Sequence, residues 1–192
     1  MRFGYTRVAG FLIFVGGVQC VLAIILAEAL YPGYSSSKNW ISDLGVGPSA
    51  TGFNSTMILL GVLGIAGAYF VQQAFHSRIF PFLMTLASIG AIGVGVFPEN
   101  VPPLHSISSS ITFLFAALSA LSSYKLQKPP LSHISVILGA FALLALILTF
   151  TGTYLGLGKG GMERMIAYPE LLWLISFGSY LIGCFNNMSR AR

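Results

Sequence analysis

Charged side chains are scarce in this chain. Only 8% of its 192 residues are Asp, Glu, Lys or Arg, whereas a soluble domain carries about a quarter. Hydrophobic residues make up 55%, and the mean hydropathy is +0.82. These values are typical of membrane proteins and exclude an ordinary soluble domain. The cations are scattered at segment ends and form no basic patch with interleaved aromatics, so we expect no nucleic-acid partner.

Cysteine and histidine are equally few. Cys20 and Cys184 both lie in apolar runs, and their number and spacing exclude a disulfide framework or a zinc finger. A catalytic zinc site needs about three histidines with a carboxylate, but only His105 lies on the predicted outer side. A haem needs axial ligands that face each other, and His76 and His133 lie at helix ends. We therefore expect no metal and no cofactor, and any role of these two histidines stays open.

Long polar stretches are absent apart from a few loops, and six apolar segments fill most of the chain. Each is about as long as a helix that crosses a hydrocarbon core of ~30 Å. Backbone groups in lipid must be paired within their own segment, so continuous apolar runs predict helices. We expect an all-α, polytopic transmembrane bundle that forms a single domain over residues 1–192. The predicted helices are residues 8–30, 53–75, 79–97, 107–126, 134–157 and 170–188.

The distribution of lysine and arginine predicts the orientation. Cytoplasmic ends of membrane helices carry an excess of these residues. With the N-terminus inside, seven cations fall at inner ends and three at outer ends, which predicts an N-in, C-in protein that crosses the cell membrane several times. The inner cations are Arg2, Arg7, Arg78, Lys125, Lys128, Arg190 and Arg192, and the outer ones are Lys38, Lys159 and Arg164.

All five acidic residues fall at outer ends or in outer loops of this topology, namely Glu28, Asp43, Glu99, Glu163 and Glu170. Either they form a functional site, or they lie outside simply because the cations are kept inside. Glu28 and Glu170 are predicted near helix ends, so no ionisable group is expected at the bilayer midplane. Proton-coupled transporters usually carry such a group there. The pattern therefore disfavours transport.

The candidate catalytic residues are acids and one histidine in the three outer loops. Asp43 lies in an Ile-Ser-Asp-Leu-Gly stretch, where it is equally explained as a cap of a short helical turn. Glu99 and His105 lie in a loop with three prolines, which holds them as a possible acid–base pair. Glu163 follows a glycine-rich turn. We expect these four side chains and Arg164 to form one cluster above the bundle.

The candidate ligand-binding residues are Lys38 and Asn54 around the first loop, and Lys159 and Arg164 around the third. The glycine-rich run beside Lys159 is not a phosphate-binding loop, because Thr153 stands where that motif requires glycine and no Ser or Thr follows the lysine. Its backbone donors and the two nearby cations nevertheless suit an anionic lipid headgroup.

Several short motifs together suggest a family. These are the Ile41–Gly45 stretch, Phe53-Asn54, Pro98-Glu99, His105 and Glu163-Arg164. With six helices, the chain resembles a prokaryotic family of uncharacterised membrane proteins that is known only as a domain of unknown function. That family is distantly similar to the eukaryotic FRAG/DRAM/SFK group. The resemblance implies a six-helix bundle with a shared set of outer-face motifs. Some eukaryotic relatives are linked to lipid remodelling or membrane trafficking, which favours a lipid as the ligand.

Three functions therefore remain open. The first is binding of a membrane lipid or small amphiphile at the outer leaflet through the outer loops. The second is an embedded enzyme that acts on lipid headgroups or acyl chains by acid–base chemistry, although the possible nucleophiles Ser42 and Ser106 have no fixed base in the sequence. The third is a structural or accessory subunit, with a second copy or another membrane subunit as partner.

Overall fold

The computed structural model describes residues 3–189, and the side chains of residues 4–183. Within this range the chain is all helical, and each of its six helices is long and apolar enough to cross a membrane. The protein is therefore a multi-pass membrane protein, and the predicted six-helix fold is confirmed. Arg2, Arg190, Arg192 and the side chain of Cys184 lie outside the described residues. The helices are α1 Phe3–Leu30, α2 Ala50–Phe75, α3 Ile79–Val96, α4 Pro102–Ser122, α5 Leu131–Phe150 and α6 Gly158–Ser189.

The helices form a closed ring. Each packs against the next in sequence, α1 packs against α6, and α4 also touches α6 across the ring. The connections 31–49, 97–101 and 151–157 lie at one end of the bundle, which we call the loop face. The connections 76–78 and 123–130, the second of which contains the 3-10 turn Ser123–Leu126, lie at the opposite end, the turn face. Which face is cytoplasmic stays a prediction.

Small residues let the helices approach closely. A Cβ added at Gly61 of α2 would come within 2.4 Å of the Ser88 carbonyl oxygen of α3. A Cβ at Gly10 of α1 would come within 2.7 Å of the Gly178 carbonyl oxygen of α6. Small residues at such crossings are how membrane helices gain packing contacts without a hydrophobic driving force.

The predicted end of the fifth helix was wrong. We expected it to run to residue 157, but α5 ends at Phe150. Gly152, Leu155 and Gly156 have φ of 72°, 48° and 78°, left-handed conformations that cannot continue an α-helix.

The predicted start of the sixth helix was also wrong. We placed it at Glu170, but α6 begins at Gly158 and continues through Pro169. A proline is tolerated inside a membrane helix when neighbouring groups satisfy the freed carbonyl. Glu163 and Arg164 are accommodated because the first loop pairs with both of them. Glu170 therefore lies in the middle of a membrane-spanning helix.

An aromatic cluster fills the bundle near the turn face. Phe80, Trp173 and Phe177 are each at most 1% exposed. The Trp173 and Phe177 rings stack with centroids 5.8 Å apart, and the Phe80 centroid lies 4.9 Å from that of Phe177. The Trp173 indole N–H donates to Ser123 Oγ at 3.0 Å. Tight packing closes this half of the bundle, so the remaining space lies toward the loop face.

Candidate functional site

Asp43 organises the first loop. Its Oδ2 accepts a hydrogen bond from Asn39 Nδ2 at 2.7 Å and another from the Trp40 backbone N–H at 3.1 Å. These bonds hold the 3-10 turn Ser42–Gly45 against the preceding residues. The predicted capping role was wrong, because the cap residue of this turn is Ile41 and no side chain caps it. Asp43 instead binds the residues that precede the turn, and it also faces the second loop.

Asp43 and Glu99 form an acid pair between the first and second loops. Burial raises the pKa of Glu99 to about 7, and the hydrogen bond to Asp43 and the charge of Asp43 act in the same direction. Burial alone would raise the pKa of Asp43 as well, but hydrogen bonds from Glu99 and Asn39 and the charge of Lys159 lower it below its usual value. The pair therefore holds its proton on Glu99, which donates to the Asp43 carboxylate. Ser42 Oγ lies 3.4 Å from Glu99 Oε2.

Glu163 is buried on the first turns of α6 and faces the interior. Its Oε2 accepts a short hydrogen bond from the Ile41 backbone N–H. This bond ties α6 to the residue that precedes the turn. Glu163 does not bond to Arg164, because adjacent residues on a helix point in different directions.

Arg164 binds groups of three segments at the loop face, namely α1, the first loop and the start of α6. Its Nη2 lies 2.5 Å from Glu28 Oε1 of α1 and donates to the Tyr34 hydroxyl at 2.7 Å. Its Nη1 donates to the backbone carbonyls of Ser36 and Gly160 at 2.9 and 2.8 Å. The side chain is 7% exposed. Its terminal nitrogens are therefore bound to protein groups and not directed at an open site.

Asn54 also contacts protein. Its Nδ2 donates to the Gly45 carbonyl at 2.9 Å, which joins the end of the 3-10 turn to the start of α2. The other two predicted ligand residues, Lys38 and Lys159, are exposed. Lys159 Nζ lies 5.4 Å from the centroid of the Trp40 ring, a cation–π contact at the edge of the site.

The glycine-rich run at the start of α6 is a packing device. A Cβ at Gly160 would come within 1.8 Å of the Asn39 carbonyl oxygen, and one at Gly158 within 2.3 Å of that of Ser37. The Gly160 N–H donates to Ser37 at 3.1 Å. These contacts explain why glycine is needed there without any bound phosphate.

His105 lies on α4 and not in a loop, because α4 begins earlier than predicted, with Pro102 at a first-turn position where proline is favoured. The ring is buried, and Nδ1 lies 2.9 Å from the Phe97 carbonyl oxygen. A carbonyl only accepts, so Nδ1 carries the hydrogen and Nε2 is the nitrogen able to accept a proton.

A cleft of about 410 Å³ opens at the loop face between α4, α5 and α6. Its apolar wall comes from all three helices, and the first and second loops contribute to its polar rim. The apolar residues are Pro102, Phe113, Leu146, Phe150 and Ile166, and the polar ones are Trp40, Ser42, Glu99, His105, Ser106, Ser109, Ser110, Thr149 and Glu163.

A second, smaller cavity of about 90 Å³ lies in the centre of the ring. Its walls are mainly apolar side chains of α1, α2, α3, α4 and α6, together with the carboxyls of Glu163 and Glu170. Ser42, His105, Ser109, Phe113 and Glu163 line both spaces, so the cleft and the central cavity are neighbours.

The structure thus brings the predicted residues into two connected groups. Glu99, Glu163 and His105 line the cleft or the cavity, and Asp43 joins them through its contact with Glu99, whereas Arg164 faces away toward Glu28. Of the α4 hydroxyls, the sequence named only Ser106, as a possible nucleophile, and Ser109 and Ser110 were missed as site residues. Ser106, Ser109 and Ser110 are spaced i, i+3, i+4, a pattern that places them on one helix face. In the part of the chain with described side chains, no group of three His, Cys, Asp or Glu residues is suited to hold a metal ion.

Comparison with known proteins identifies a family. Residues 14–180 match the family described as "Protein of unknown function (DUF998)". No curated protein and no solved structure matches the chain significantly. Since the match covers more than half of the chain, with all of α2 to α5 and most of α1 and α6, the chain belongs to the DUF998 family of proteins of unknown function.

Proposed function

We propose that the protein binds a lipid or small amphiphile in the cleft between α4, α5 and α6, from the outer leaflet of the cell membrane. The observation that carries this proposal is the cleft itself, which joins an apolar wall to a rim of carboxyls, hydroxyls and an indole at the loop face. Ligand sites in proteins are mostly apolar pockets with a few placed polar groups.

The volume of the cleft suits a ligand of which only one part is enclosed. Pockets for small molecules have volumes of roughly 300–1,000 Å³, and the cleft of about 410 Å³ lies in this range. A whole phospholipid exceeds this volume. The cleft suits the polar end and the first part of an acyl chain, and the rest of the chain would stay in the bilayer beside the exposed Phe150.

The residues that line the cleft also favour one kind of ligand headgroup. Among the described residues, no lysine or arginine lines the cleft, whereas Glu99, Glu163 and several hydroxyls do. A headgroup with hydroxyl or ammonium donors fits these acceptors better than a phosphate alone. Lys159 does not line the cleft. Arg164 and Asn54 bind groups of the loops, so we assign them a structural role and not ligand binding.

Native mass spectrometry of the protein purified in mild detergent, followed by extraction of bound lipids, tests the proposal. We expect a bound amphiphile in the wild type and its loss in S110F, which fills the cleft. The matched control S55F changes an exposed serine of α2 outside both cavities and should retain the ligand. If no amphiphile co-purifies, or if S110F retains it as well as S55F, the proposal is wrong and an accessory-subunit role takes its place.

Acid–base catalysis on a lipid is the second candidate, and the Asp43–Glu99 pair favours it. The two carboxyls have pKa values shifted in opposite directions, an arrangement that separates an acid from a base in enzymes. E99Q removes the proton donor and keeps the size of the side chain. If the protein is an enzyme, cells with E99Q should show a changed lipid profile while the purified variant still binds its ligand. An unchanged profile would exclude this candidate.

A further inference from the structure

Glu170 places a carboxyl deep within the bundle. It lies at the middle of the 26-residue apolar span Gly158–Gly183, roughly 18–20 Å from each end at about 1.5 Å per residue. The residue is 5% exposed, and its Oε1 has no hydrogen-bond partner among the described residues. Ionisable groups at this depth are expensive to bury, and they usually mark functional sites.

The central cavity gives this carboxyl space for water. Its volume of about 90 Å³ corresponds to a few water molecules at about 30 Å³ each. Glu163 and Glu170 both line it. They lie seven positions apart on α6, so they share one helix face. Glu163 thus stands between Glu170 and the loop face.

The cavity leads toward the cleft. Ser109 and Glu163 line both spaces, and at the far end of the cleft Glu99 belongs to the acid pair of the loops. Hydroxyl and carboxyl groups therefore follow one another from the loop face to Glu170. Such groups both donate and accept protons when water bridges them.

The route ends beyond Glu170. Phe80, Trp173 and Phe177 fill the bundle toward the turn face, and each is at most 1% exposed. The Trp173 indole also lines the cavity, but its nitrogen only donates and already binds Ser123. Access to Glu170 is therefore one-sided.

The groups that face Glu170 leave it without a fixed countercharge. Around the central cavity, the titratable side chains are Cys20 of α1, His105 of α4, and Glu163 and Glu170 of α6. None of the lining residues described from α2 or α3 is titratable, and α5 contributes none to the cavity. Arg164, the nearest cation in sequence on α6, binds Glu28 instead.

From this geometry we propose that Glu170 is a proton-binding site that exchanges with the loop face alone, through the central cavity and the cleft. The site requires no ligand in the cleft. It reverses the expectation from sequence that no ionisable group lies at the midplane. It also gives the protein the element that proton-coupled membrane proteins carry at that depth.

Infrared spectroscopy of the protein in nanodiscs tests this site. A protonated carboxyl has its own C=O band, and that band shifts in D₂O only if the group exchanges with water. We expect a band that is lost in E170Q, retained in E28Q, whose residue lines neither the cleft nor the cavity, and shifted in D₂O in the wild type. Absence of a Glu170 band at every pH, or a band that never shifts in D₂O, would overturn the proposal.

Two further variants test the route. S109L narrows the junction between the cleft and the cavity and should slow the shift in D₂O. F80L alters packing on the turn-face side to a similar extent and should not slow it. Equal rates in S109L and wild type, or slowing in F80L alone, would refute access from the loop face.

A measurement on the wild-type protein covers the case in which E170Q fails to fold. A hydrophobic carbodiimide reacts with protonated carboxyls, and the adduct can be located by peptide mass spectrometry. We expect an adduct on Glu170 that forms more slowly as the pH rises. If Glu170 stays unmodified while the protein is folded and other carboxyls react, the proposal is wrong.

Discussion

Replacing Arg164 by methionine should be among the most destabilising changes at the loop face. Methionine keeps much of the aliphatic stem but removes the ion pair with Glu28 and the bonds to Tyr34, Ser36 and Gly160. Removing one partner of a buried ion pair costs about 3–5 kcal/mol. The Glu28 side chain is 25% exposed, so water compensates part of its lost partner. We therefore expect a loss of about 3 kcal/mol for R164M.

E28Q should cost less, about 1–2 kcal/mol, because the amide oxygen still accepts a bond from Arg164. The double variant E28Q/R164M should be less destabilised than the sum of the two single variants, by about 1–2 kcal/mol, since the groups interact directly. Unfolding by SDS in mixed micelles, followed by tryptophan fluorescence, measures all three. K159M is the matched control, because it removes an exposed cation from the same helix. If R164M unfolds at the same SDS concentration as K159M, the assigned role of Arg164 is wrong. It is also wrong if the stability lost in the double variant equals the sum of the losses in the two single variants.

Three smaller predictions use the same unfolding assay. Because the pKa of Glu99 is raised from 4.5 to about 7 in the folded protein, the folded state binds more protons between these values. Stability should therefore fall as the pH rises from about 4.5 to 7, by at most about 3 kcal/mol and nearer 1 kcal/mol after solvent screening. The stability of E99Q should depend less on pH over this range. G160A should cost about 2 kcal/mol, because its Cβ would overlap a loop carbonyl. G52A, where a Cβ meets nothing within 4 Å, should be neutral or slightly stabilising. If G160A and G52A lose the same amount of stability, close packing around Gly160 is not the cause. N54A should cost about 1 kcal/mol through the lost bond to Gly45, and a loss above that of R164M would refute this modest role.

Hydropathy was enough to predict the six helices, because spans of this length have no other stable form in lipid. It could not locate the ends of α5 and α6. Gly152 and Gly156 end α5 within an apolar run, and hydropathy does not register a change of backbone conformation. The pair Glu163-Arg164 looked like a loop because its partners, Ile41 and Glu28, lie more than a hundred residues away.

The sequence predicted only part of the candidate site. Asp43 and Glu99 stood out because acids are rare in this chain, and they meet because their loops lie at the same end of the bundle. The depth of Glu170 was missed because the sixth helix was predicted to begin at this residue, whereas α6 begins at Gly158. The face formed by Ser106, Ser109 and Ser110 was readable from spacing alone, but only the positions of α5 and α6 show that it lines a cleft.

The most direct test of amphiphile binding is photo-crosslinking with a lipid that carries a diazirine on its acyl chain. In membranes that contain the protein, we predict crosslinks concentrated at the apolar wall of the cleft, on peptides with Leu146, Phe150 and Ile166. S110F should abolish these crosslinks and leave the background on lipid-facing Phe11 unchanged. Crosslinks spread evenly over the outer surfaces of the helices, with no effect of S110F, would contradict ligand binding in the cleft.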